Sequence, residues 1–148
     1  MKKILLACLL CMGIMVGCGG AKNETYDITV NDLGKKYSSV ADFLSAYSST
    51  LTTAGTDFQT CMSSGGDATQ LNKCKKQIAD ELQKLVDLQG PTDKASQEKA
   101  MDDLIVSFNN DVVQSLKTKM NSSDITDLQK KISDWQQKMT AAVVAYQQ

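Results

Sequence analysis

The chain contains no histidine, and all sixteen of its basic residues are lysines. Without histidine it lacks the side chain best suited to proton transfer near neutral pH, which is also the commonest metal ligand. Without arginine it lacks the planar fork that grips phosphate and guanine edges at two points. A formal net charge of −1 sets up no strong field toward nucleic acid or an anionic surface. No glycine-rich phosphate loop and no nucleophile beside a base can be found. These absences predict a non-enzymatic protein with no catalytic residue, no metal site, no cofactor and no nucleic-acid partner. What remains is ordinary for one globular domain: 148 residues, 42% of them apolar.

The first twenty residues, MKKILLACLLCMGIMVGCGG, divide into three parts. Lys2 and Lys3 are positive, Ile4 to Val16 are apolar, and a small-residue stretch ends in Cys18. The apolar run is shorter than the ~20 residues a spanning helix needs, and its flanks are those of a secretory signal. Met15-Val16-Gly17-Cys18 resembles the lipobox of bacterial lipoproteins, with methionine where leucine is usual. The resemblance covers these residues only. It implies a signal peptide over residues 1–17, cleavage before Cys18, a diacylglycerol thioether on Cys18 and acylation, for example by palmitate, of the new amino group. It also implies an extracytoplasmic protein held at a membrane by its lipid. Gly19 stands where aspartate often marks inner-membrane retention, so the same resemblance implies the outer membrane in a host that has two. Two or more acyl chains give the stable attachment that one does not. Cys8 and Cys11 have redox-motif spacing but fall inside the segment to be removed.

Residues 18–32 read as a lipidated flexible tether, and 33–148 as a helical domain. About thirteen residues of coil reach ~20 Å. From Leu33 the apolar residues follow alternating steps of four and three: Leu33, Tyr37, Val40, Leu44, Tyr47, Leu51, Ala54, Phe58, Cys61. Thr52, Thr53 and Gly55 predict a kink there. Asp67 is positioned to cap a second run, Leu71 to Leu88, which Gly90-Pro91 stops. Thr92 or Asp93 can cap a third, Met101 to Met120, and Ser122 or Ser123 a fourth, Ile125 to Tyr146. Tyr26 to Val30 alternates weakly but has no partner strand. The prediction is an all-α, antiparallel up-down four-helix bundle.

Cys61 continues the first seam and Cys74 falls in the second, at the closed end of a hairpin. Export favours a disulfide between them. A zinc site would need about four ligands, and only two thiols are at hand. In a compartment that is not oxidising the pair would instead be two buried thiols. Ser96 to Lys99 matches S-x-x-K without its companion motifs, and Ser96 and Glu98 are expected to serve a helix terminus. Asp80-Glu81 and Asp102-Asp103 are adjacent in sequence, so each pair points ~100° apart on a helix and reads as solvated face.

The third run carries a wider apolar arc than one seam requires, through Val106, Val113 and Met120. One reading makes it the most buried helix. The other makes it a groove for a partner helix, with Val144 extending the patch. In architecture alone the expected protein resembles secretion pilotins, small helical lipoproteins that receive a partner helix. The expected role is a non-enzymatic interaction or adaptor module for another envelope protein. The alternative is a carrier holding a small apolar ligand within the bundle.

Overall fold

The computed structural model describes residues 23–148 apart from Gly65, and of Ser64 the backbone only. The signal segment and Cys18 lie outside the described residues. Helices α1 (Val40–Ser64), α2 (Ala68–Asp87), α3 (Ala95–Phe108) and α4 (Ser122–Gln147) form an all-α bundle. Short links reverse the chain between successive helices, so neighbours run antiparallel. α1 packs on α2, α2 on α3 and α3 on α4. α1 and α4 complete the core through aromatic rings: Phe43 stacks on Tyr146 with centroids 4.9 Å apart. No named strand occurs among the described residues.

Each helix start has a local cause, and several differ from the sequence expectation. The seam at Leu33 and Tyr37 is not helical, and Leu33 is 80% exposed. Ser39 sets the start of α1, its Oγ accepting the Asp42 N–H at 3.1 Å and donating to Asp42 Oδ2 at 2.8 Å. The helix then continues through Thr52, Thr53 and Gly55. Hydroxyls of Thr50, Thr52, Thr53, Thr56 and Thr60 donate to carbonyls four residues back, which satisfies them without ending the helix. Asp67 caps α2 as predicted, accepting from Gln70 N at 2.9 Å. After Pro91 a 3₁₀ turn, Thr92–Lys94, leads into α3, and neither Thr92 nor Asp93 caps it. Asn121, rather than Ser122 or Ser123, caps α4 in a reciprocal box with Asp124.

α3 stops at Phe108, well short of Met120, and a single π turn follows over Asn109–Val113. The extra residue in that turn rotates the side chains that follow, so Val112 and Val113 both enter the core at 1% and 0% exposure. At the hairpin end Phe58, Phe108 and Trp135 form an aromatic row, with Trp135 Nε1 donating to the Leu104 carbonyl at 2.7 Å.

Residues 23–37 depart furthest from expectation. Instead of continuing the tether, they lie along α2 as a strap running parallel to it. Glu24 N donates to the buried Asn72. The Tyr26 N–H and carbonyl are both held by Gln114, and Asn109 donates to the same carbonyl at 2.8 Å. Thr29 exchanges two bonds with the Gln83 amide. Gly34 N donates to the Asp87 carbonyl at 2.8 Å, and Lys35 and Tyr37 pair with the Gln89 backbone. A side chain at Gly34 would run into the Asp87 carbonyl, so glycine is what allows this approach. Ile28 is buried beneath the strap. The weak alternation of Tyr26, Ile28 and Val30 records this: the first two face the bundle and Val30 is exposed.

Candidate functional site

The face proposed on the third run does not stand open. Val113 is fully buried, and Val106 and Met120 are partly buried against the core. The π turn accounts for Val113, because it carries Val112 and Val113 into the core together.

An open apolar surface lies instead between α1 and α4. Val40, Ala41, Leu44, Tyr47 and Ser48 from α1 face Val143 and Gln147 from α4 across a groove of about 610 Å³. Val144 is exposed close by in the sequence of α4. The groove arises because the first seam is over-supplied. Phe43, which the seam omits, is the fully buried residue of that turn, while Val40 and Leu44 are only partly buried. The large Phe43–Tyr146 stack bridges the two helices here, and the smaller side chains of the groove stay partly uncovered.

Beneath the groove is a buried polar cluster that the sequence did not single out. Glu98 and Asp102, one turn apart on α3, are 8% and 3% exposed. Glu98 stands in the first turn of α3, as expected, but faces inward, and Asp102, expected on a solvated face, is buried. Glu98 Oε2 accepts the Gly90 N–H at 2.7 Å. A side chain at Gly90 would strike both the Tyr146 hydroxyl and Glu98, so these three groups touch one small volume. Asp102 Oδ1 and the hydroxyls of Tyr47 and Tyr146 have no hydrogen-bond partner. Burial, then the charge of Glu98, pushes the Asp102 carboxyl up to about 8. Burial likewise raises Glu98 despite the Gly90 N–H, and raises both tyrosines, so their hydroxyls remain donors.

At the opposite end Cys61 and Cys74 lie at disulfide distance, with Cα atoms 5.6 Å apart, in the range a bridge requires. Lys75, 1% exposed, donates to the Gln114 carbonyl at 3.3 Å. Among the described residues no group of three acidic or cysteine side chains is arranged to hold a metal, and no helix is long and apolar enough to cross a membrane.

What these features define, among the described residues, is a helical bundle with an apolar groove over a buried acid pair. No protein-family model matches the chain, and comparison with curated proteins and with solved structures returns no match.

Proposed function

We propose that the protein is a membrane-anchored envelope lipoprotein whose bundle is a non-enzymatic interaction module, and that the α1–α4 groove receives an apolar helix of another envelope protein. The anchor rests on the lipobox resemblance at Cys18. The docking site rests on one observation, the uncovered apolar groove lined by Val40, Leu44 and Val143. An amphipathic helix seats its apolar face in such a groove through residues spaced three and four apart.

Photo-crosslinking in intact cells tests the reading. A crosslinking residue at Leu44 or Val143 is expected to capture one dominant envelope protein, and one at Val106 is not. Equal capture from Val106, or none from the groove of a folded protein, would sink it. Cys18→Ser is expected to release the protein from membranes after signal removal; retention there rejects the anchor.

The groove volume also falls in the range of small-molecule sites, which favours an apolar-ligand carrier as the second reading. Native mass spectrometry of protein from its own host separates the two: a carrier retains a small molecule, and an adaptor does not.

A further inference from the structure

Tyr47 belongs to two structures at once. Its ring forms part of the groove wall, and its hydroxyl reaches the polar cluster below without a partner. Tyr146 stands between groove residues Val143 and Gln147 in sequence, and its hydroxyl meets Gly90 beside Glu98. Phe43 lies against both rings, with centroids 5.6 Å from Tyr47 and 4.9 Å from Tyr146. A shift in the two phenols therefore moves Tyr47 in the groove wall and the Phe43 ring packed behind it.

The charged and titratable groups around the Glu98–Asp102 pair and its phenols come from several elements. The strap supplies Asp32 and Lys36, and the 3₁₀ turn supplies Asp93, which acts on Tyr146. α3 itself supplies Glu98, Lys99 and Asp103, with Lys99 already paired to Asp103 at 2.6 Å. α1 and α4 supply the two phenols. No lysine forms a salt bridge to Glu98 or Asp102 among the described residues. Burying two unpaired carboxylates side by side is far costlier than burying one with a proton on its neighbour.

We infer that the Glu98–Asp102 pair is a proton-operated latch, and that the proton it holds sets the position of Tyr47 and Tyr146 and so the shape of the partner groove. With the proton bound, Asp102 is neutral and the phenols rest as described. When the proton leaves, the new carboxylate is a strong acceptor, and the two phenol hydroxyls are the unpartnered donors of the cluster. They turn toward it, Tyr47 leaves its place in the wall, and the groove loses its fit. The latch regulates the docking site and therefore rests on the groove reading.

Methyl NMR of the full chain in detergent micelles tests it. The Asp102 carboxyl is expected to titrate with a midpoint of about 8. The methyls of Val40, Leu44 and Val143 are expected to shift with that same midpoint, while those of Leu128 and Ile132 stay still. In Asp102→Asn the groove methyls are expected to be flat between about pH 6 and about pH 9. In Tyr47→Phe and Tyr146→Phe, which keep the rings but remove the donors, the shifts are expected to shrink severalfold. Groove methyls that ignore the Asp102 titration, or that still titrate in Asp102→Asn, overturn the latch. So does an Asp102 midpoint in the ordinary carboxylate range. The outcome is separable from the docking reading. Lost crosslinks with coupled methyls overturn the partner alone, and retained crosslinks without pH-dependent yield overturn the latch alone.

Discussion

The two ends of the bundle are built on opposite plans. At the hairpin end Cys61 and Cys74 lie at disulfide distance, Asp67 caps α2, and Phe58, Phe108 and Trp135 fill the core with the indole N–H bonded. At the groove end three buried polar atoms lack partners, two acids share one interior, and the Phe43–Tyr146 stack joins α1 to α4. One end is over-determined and the other is left adjustable. If the groove is the docking surface proposed above, stability concentrated away from it is the arrangement expected where such a surface must change shape.

Mutations at each end sharpen this contrast. The largest effect is expected at the hairpin: Cys61→Ser with Cys74→Ser should lower unfolding free energy by ~3 kcal/mol if the bridge is formed, since it closes a loop of about 14 residues. A denaturant midpoint unchanged from wild type, and equally unchanged by reductant, would mean the staple contributes nothing. Next comes Gly90→Ala, whose methyl group overlaps the Tyr146 hydroxyl and Glu98. It should cost ~2 kcal/mol in thermal melts, and pairing it with Tyr146→Phe should recover part of that loss.

Asp102→Asn is expected to stabilise. The folded carboxyl sits at about 8 against an ordinary 3.8, so between those values the folded state holds a proton the unfolded state has released. Stability from this group is full below the lower value and is lost as pH rises through the upper one. Removing the ionisation should gain ~1–2 kcal/mol at neutral pH and nothing near pH 4; melting curves of equal slope against pH for both proteins would contradict it. Smallest is Ser39→Ala, at ~1 kcal/mol. Its mark should be faster amide exchange confined to the first turn of α1, beside the groove.

The interior seams were plain in the sequence because they repeat. Leu71, Cys74, Ile78, Leu82 and Leu85 on α2, and Leu128, Ile132, Trp135, Met139 and Tyr146 on α4, are all buried where the period puts them. The cysteine register followed from the same period. What escaped depends on one residue or on tertiary contact. A π turn inserts a single residue, and no pattern around Val112 and Val113 announces it. Phe43 sits one position from the seam residue Leu44, so periodicity chose the wrong neighbour for the core. Glu98 and Asp102 read as surface because charge normally means solvent; only Gly90, which leaves room above them, and the two phenols make their burial legible. The strap was hidden because Asn72, Asn109, Gln83 and Gln114 bind its backbone, and backbone recognition leaves little trace in the strap's own side chains.

The strap also changes the mechanics of attachment. Were residues 18–32 all coil, the domain would swing freely at the bilayer. Docking from Glu24 leaves six peptide steps after Cys18, no more than ~22 Å fully extended. The first latch, Glu24 on Asn72, lies at the hairpin end. If Cys18 carries the proposed lipid, that end would be the one drawn toward the bilayer. The groove then stands at the far end, about the length of the 20-residue α2 away, ~30 Å. Under the proposed anchoring, the protein would be a short post with its socket at the tip, presenting the groove away from the membrane.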